Sequence, residues 1–299
     1  MSVIKAIILG LVQGITEFLP VSSSGHISLF QHFLGVSGDG SLLFSVMLHM
    51  GTLAAVFIVY YQTIWDLLTE AIRLIKDIIH KKFSIKKMNT TRRMLVMLFF
   101  SCIPLLLLLI PTGGGMLLLD RVSVFSEDTS ILAEGICFLF TAFLLIYGSY
   151  ITKTKKANRK INTTEALSIG ISQTLAAAFP GISRSGATIS TGLIFGIPKK
   201  LIVKYSFILA IPAVLAANAY EFKNALETGE TVDPLPLVAG VITAAIVGVI
   251  SIKLLNFILK KDLFKYFGHY CFLLGVIVII IALIEKFTGT YIGVQQVQV

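Results

Sequence analysis

Two short stretches carry the side chains whose types and spacing could do chemistry. The first runs Gln13-Gly-Ile-Thr-Glu17 and continues through Ser22, Ser23, Ser24, Gly25 and His26. The second holds Ser183, Arg184, Ser185 and Thr188 beside Gly181 and Gly186. Gln13 and Glu17 lie one helical turn apart and share a face. Arg184 offers a planar fork matched to phosphate oxygens, and hydroxyls with glycine-flanked backbone N–H groups complete an anion cradle. A carboxylate, an imidazole, several hydroxyls and a guanidinium together suit a phosphorylated ligand and phosphoryl chemistry. Each also has a plainer reading: a carboxylate tied to backbone donors, serines capping helices, a satisfied interfacial histidine, and a Glu17–Arg184 ion pair that only staples two segments together.

The elements that must position these groups are set by composition. Of 299 residues, 56% are hydrophobic and only 14% charged, with mean hydropathy +0.87, whereas an average soluble chain carries roughly 25% charge. Too little polar surface remains for a water-soluble particle, so an all-α polytopic membrane protein is expected. An acid placed in a membrane segment costs roughly 2.5–3.5 kcal/mol on insertion scales, so Glu17 should face a polar interior. The net charge of +9 gathers in short loops between apolar runs, as the positive-inside rule requires, and does not call for nucleic acid. Cys102, Cys137 and Cys271 stand in apolar runs without metal-ligand spacing and read as packing residues. Gln13 and Glu17 interrupt the first apolar run, and Pro20 and His26 stand where a cleavage region would be, so the N-terminus reads as mature structure.

Spans are expected at 41–61, 94–111, 131–151, 204–220, 236–258 and 267–286. Loops 62–93, 152–165 and 259–266 are rich in Lys and Arg and should be cytoplasmic, while 112–130 and 221–235 are acidic and fit the outside. The run 131–151 then ends inside and 204–220 begins inside, so the intervening segment must enter the membrane and return. Its apolar pieces are short, and Phe179-Pro-Gly-Ile-Ser-Arg-Ser-Gly186 breaks them. A re-entrant pair is therefore expected over 164–197, and by the same reasoning over 5–35, broken at Pro20–Gly25 and opening to the outside. Irregular backbone at membrane depth survives only when protein or a polar cavity surrounds it.

A shift of 160 positions places Ala6, Gly10, Gln13, Pro20 and Ser23 on Ala166, Gly170, Gln173, Pro180 and Ser183. The chain thus reads as a first repeat over 1–151, a cytoplasmic linker over 152–165 and a second repeat over 166–299. Each half is a re-entrant pair plus three transmembrane helices. Three spans are an odd number, so the second half is inverted relative to the first, an arrangement that points to a site at the repeat interface.

Glu17-Phe-Leu-Pro-Val-Ser-Ser-Ser-Gly-His26 and Pro180-Gly-Ile-Ser-Arg-Ser-Gly-Ala-Thr188 resemble the two signatures of the bacterial undecaprenyl-diphosphate phosphatase family, also called the bacitracin-resistance family. The resemblance covers the whole length, and Gln13 stands at a position where that family accepts Glu or Gln. It implies hydrolysis of undecaprenyl diphosphate to undecaprenyl phosphate and inorganic phosphate in the bacterial cell membrane, with a divalent cation (Mg or Ca). That reaction recycles the lipid carrier of cell-wall synthesis and confers bacitracin resistance. Carried onto this chain, Glu17 becomes metal ligand or base, and Arg184 the diphosphate clamp. Ser23 or His26 becomes nucleophile or proton donor. Gln13, Ser22, Ser24, Ser183, Ser185 and Thr188 become substrate contacts. The partners implied are a polyprenyl diphosphate lipid and the bilayer, with no nucleic acid and with a homo-oligomer left open.

A flippase or transporter of a polyprenyl phosphate could use the same inverted-repeat site, binding without cleavage. The Ser, His and Glu group favours catalysis, because a carrier needs cations more than a poised nucleophile and base. Lipid-phosphate phosphatases of the phosphatidic-acid type are excluded: their second motif needs a His several residues after the Arg, and none follows Arg184 before residue 269. His49 and Glu134 fall in or near spans, where lining a cavity and packing are both open.

Overall fold

The computed structural model describes residues 1–34, 41–81, 88–114, 116–123, 131–154, 159–179, 181–228, 233–260, 263–290 and 292. Pro180 and the loop charges Lys82, Lys86, Lys87, Glu127, Asp128, Lys155, Lys156, Glu230, Lys261 and Asp262 lie outside the described residues. The short apolar runs become helices α1 (Val3–Thr16), α2 (Ser23–Leu34), α7 (Thr163–Ala178) and α8 (Arg184–Ile194). Between the two pairs come the long apolar helices α3 (Ser41–Ile79), α4 (Thr90–Cys102) and α6 (Leu132–Thr154), with a one-and-a-half-turn α5 (Leu118–Ser123) after α4. The second pair is followed by α9 (Lys199–Thr228), α10 (Pro234–Lys260) and α11 (Phe264–Thr288). Six segments are long and apolar enough to cross a membrane. The longest helix of the two short pairs, α7, has 16 residues and rises about 24 Å, short of the roughly 30 Å hydrocarbon core.

Several extents differ from the sequence reading, among them α9 (Lys199–Thr228), which overruns the expected 204–220 at both ends. Helix α3 does not stop near Tyr61 but continues to Ile79, with a kink at Tyr60 (φ −110°, ψ 21°). Asp66, Glu70, Arg73, Lys76 and Asp77 end the apolar run without ending the helix, and Arg92 at the start of α4 ties the extension down. Its guanidinium meets Glu70 at 2.5 Å and Asp77 at 2.7 Å. The run 94–111 is not one helix: α4 gives way to a 3-10 segment over Ile103–Leu109, because Pro104 carries no N–H to continue the α ladder.

The two hairpins are seated by close backbone approach. Helix α1 packs along α10 and α7 along α4. A Cβ on Gly10 would stand 2.5 Å from the Gly240 carbonyl oxygen, and one on Gly170 would stand 2.4 Å from that of Ser101. Both distances are too short for any side chain. Helices α3 and α9 pair with each other, as do α6 and α11. The main buried cluster joins Phe18, Val56, Ile169, Ile189, Tyr205 and Phe207 beneath the two hairpins.

Candidate active site

The turn 17–22 between α1 and α2 meets the turn between α7 and α8, so the two sequence motifs form one site. Arg184 donates from Nη2 to Oε1 of Glu17, and Gly181 N donates to Ser24 Oγ at 3.0 Å. Glu17 Oε2 accepts from Ser23 Oγ at 2.7 Å and from Gln13 Nε2 at 3.0 Å. Gln13 reaches it because four residues make one helical turn, as the spacing implied. Glu17 is buried, whereas Ser23, Ser24 and Arg184 are partly open. The predicted staple between Glu17 and Arg184 therefore exists, and it lies in the same cluster as a partly open hydroxyl.

The first tip is built around a backbone strain. Ser22 adopts φ +71°, a left-handed conformation that costs a non-glycine residue on the order of 1–3 kcal/mol. Its Oγ accepts from Gly25 N at 3.2 Å and caps the start of α2. With that duty taken by Ser22, the hydroxyl of Ser23 is left to Glu17. At the second tip Gly181 takes the positive φ (+106°), and Ser183 Oγ accepts from Gly186 N at 3.0 Å as the N-cap of α8.

Other predicted site residues are arranged differently. His26 donates from Nδ1 to the Ser22 carbonyl at 2.7 Å and accepts at Nε2 from the Tyr270 hydroxyl, also at 2.7 Å. Its ring stacks on Tyr270 and meets Phe138 edge-on, so both nitrogens are engaged in fastening the first tip to α6 and α11. Ser183, Ser185 and Thr188 are buried. Ser185 Oγ donates to the Glu17 carbonyl at 3.4 Å, and Thr188 shares a hydrogen bond with Ser206 at 2.6 Å. These three hold the tip in shape. The partly open groups are Ser23, Ser24 and Arg184, around the buried carboxylate of Glu17.

The sequence reading left His49 undecided between cavity and packing, and the structure places it in the site. Its Nε2 stands 3.6 Å from Glu17 Oε2, with 29% of its side chain exposed. Glu17, His49 and Arg184 form the polar end of a narrow cleft, and Leu53, Val56, Phe207, Ala210 and Val214 of α3 and α9 form its apolar wall. A polar floor beside an apolar wall at membrane depth suits an amphipathic ligand with an anionic head. Nothing local marks His49 as a site residue, since it sits in the middle of a span; only the packing of α3 against the first tip brings it there.

Among the described residues no group of three His, Cys, Asp or Glu side chains could hold a metal ion unaided. A hard cation needs oxygen ligands and commonly takes one or two carboxylates together with substrate phosphates. Glu17 supplies the carboxylate. Gln13 Oε1, which is buried without a hydrogen-bond partner, would be a further oxygen donor, so the residues present fit an ion carried with a diphosphate.

Comparison with known proteins gives the family. The family model of the bacitracin resistance protein BacA matches residues 6–277. An undecaprenyl-diphosphatase of Alkaliphilus metalliredigens is 40% identical over 286 residues, covering 95% of this chain and 100% of the relative. Those of Halothermothrix orenii (36% over 289 residues, 94% and 99% covered) and Treponema denticola (36% over 275 residues, 92% and 96% covered) are similar along nearly their whole lengths. With both hairpins inside the matched region and six helices able to cross the bilayer, this multi-pass membrane chain belongs to the bacitracin resistance protein BacA family.

Proposed function

We propose that this chain hydrolyses undecaprenyl diphosphate to undecaprenyl phosphate and inorganic phosphate, recycling the lipid carrier of cell-wall synthesis. The observation that carries this reading is the short hydrogen bond from Ser23 Oγ to Glu17 Oε2, made while Arg184 holds the other carboxylate oxygen. A hydroxyl seated on a carboxylate beside a guanidinium, with the carboxylate and guanidinium lining the cleft, suits covalent phosphoryl transfer. The diphosphate enters with its tail along α3 and α9, and the guanidinium of Arg184 turns from Glu17 to the phosphate oxygens. Glu17, relieved of its counter-ion, takes the Ser23 proton as Oγ attacks the terminal phosphorus, and undecaprenyl phosphate leaves. Of the two candidate nucleophiles, this assigns the role to Ser23 and leaves His26 as the anchor of the tip. Ser24 and the first N–H groups of α8 complete the cradle.

A divalent cation, magnesium or calcium, would be held by Glu17 and Gln13 and would neutralise diphosphate charge when bound. We also propose that the halves are related by an inverted two-fold, which is supported by the exchange of partners: α1 lies on α10 and α7 on α4, each through a glycine against a carbonyl. A carrier that binds without cleavage has no use for a hydroxyl seated on a carboxylate, so the transporter reading is not favoured. The test is phosphate release from undecaprenyl diphosphate by purified protein. The wild-type chain should turn over, and Ser23→Ala should lose at least about 1000-fold, the upper range of what a positioned proton-transfer partner contributes.

A further inference from the structure

We propose that His49 is the base that activates water in a second half-reaction, an inference that rests on the assignment of Ser23 as nucleophile. Attack by Ser23 on a diphosphate leaves a phosphoserine, and its proton then resides on Glu17. Hydrolysis of that intermediate needs a second proton acceptor, because Glu17 Oε2 already holds the first proton and must return it to Ser23 Oγ.

The ring of His49 is set for this task. Its Nδ1 lies 2.9 Å from the Ser45 carbonyl; a carbonyl only accepts, so Nδ1 carries the hydrogen and the neutral ring has its lone pair on Nε2. That nitrogen faces Glu17 Oε2, the same oxygen that accepts from Ser23. It opens into the cleft bounded by Arg184 and the apolar wall. At 3.6 Å the contact is too long to be a hydrogen bond, so Nε2 stays available to a water. His26 has the same Nδ1 bond to a carbonyl one turn back, but its Nε2 is taken by the Tyr270 hydroxyl and its ring is buried.

The step balances without another reactant. The water oxygen bonds to phosphorus and the bond from phosphorus to Ser23 Oγ breaks. One water proton goes to His49 Nε2, and the Glu17 proton returns to Oγ. The imidazolium then gives its proton to the departing phosphate or to solvent.

The experiment follows undecaprenyl diphosphate labelled in its terminal phosphate, using purified wild-type, His49→Ala and His49→Gln proteins reconstituted in lipid. In both variants kcat should fall about 100-fold, the usual scale for general-base help, with KM falling in proportion, because kcat/KM reports the first half-reaction. Undecaprenyl phosphate should appear in a burst near one per protein, and acid-stable label should accumulate on Ser23. Added imidazole should restore turnover to His49→Ala. If the variants turn over like wild type, or lose activity without burst and label, His49 does not act in the second step. Equal loss of both half-reactions with no imidazole rescue would mean that it only orients Glu17. If instead Ser23→Ala retains full turnover, the nucleophile assignment fails and this inference with it.

Discussion

The two hairpin tips descend from the same local pattern yet do different work, and the difference lies in one hydroxyl. Ser23 and Ser183 are equivalent under the shift of 160 positions, and both stand where a helix begins. Ser183 uses its Oγ to cap Gly186 N. At the first tip the cap moves back one residue to Ser22, which bonds Gly25 N from a left-handed backbone. Ser23 is thereby released to Glu17, whose counterpart in the second tip is Ala177. The first tip thus holds the proposed nucleophile and base on a strained turn, and the second holds the guanidinium on a glycine turn. The Ser23 hydroxyl is freed by giving its neighbour the structural duty, at a cost in backbone strain.

Substitutions at the two tips should therefore separate cleanly. The largest effect after loss of the Ser23 hydroxyl is expected for Arg184→Lys. A point ammonium cannot reproduce bidentate phosphate contact, so phosphate release should fall about 100-fold, the lower end of the loss seen when one preorganised donor is removed, while insertion and expression are retained. Near-normal turnover in that variant would make Arg184 a staple only.

Next comes Ser22→Ala, which leaves the Gly25 N–H without its cap and offers it to Ser23 instead. Both stability and turnover should drop, the first by about 1 kcal/mol and the second by about tenfold, since Ser23 is then divided between cap and base. A melting curve and a rate on the same sample check this. Ser183→Ala should cost a similar amount of stability, about 1 kcal/mol, and leave turnover within about threefold. A collapse of activity in Ser183→Ala with unchanged melting would show that the second serine also touches the reaction.

Much of this was legible beforehand, for identifiable reasons. Short apolar runs interrupted by Pro and Gly cannot span, so both hairpins and the meeting of their tips followed from length and loop charge. The one-turn spacing of Gln13 and Glu17 was enough to place them on one carboxylate network. The continuation of α3 to Ile79 was not, because charged residues end hydropathy but not helicity, and its anchor Arg92 comes from the next helix. The 3-10 segment after Cys102 was hidden because Pro104 is followed by an unbroken run of leucines that keeps the segment apolar. His49 could not be picked out, since a histidine among apolar residues has no local mark of facing a carboxylate on another helix. For His26 the motif gave the position but not the role; Tyr270, far along the chain, decides what its second nitrogen does.

The most direct test of the central claim, that Glu17 activates Ser23 rather than merely holding Arg184, is Glu17→Gln. The change keeps size and hydrogen bonding and removes charge and basicity. Phosphate release, affinity for a non-hydrolysable diphosphate lipid and melting should be measured on one purified sample. Phosphate release should fall by about 100-fold or more, with affinity changed far less because Arg184 carries the attraction. Retained hydrolysis with a loss of roughly 3–5 kcal/mol in stability, the cost of breaking a buried ion pair, would contradict the account and leave Glu17 a structural carboxylate.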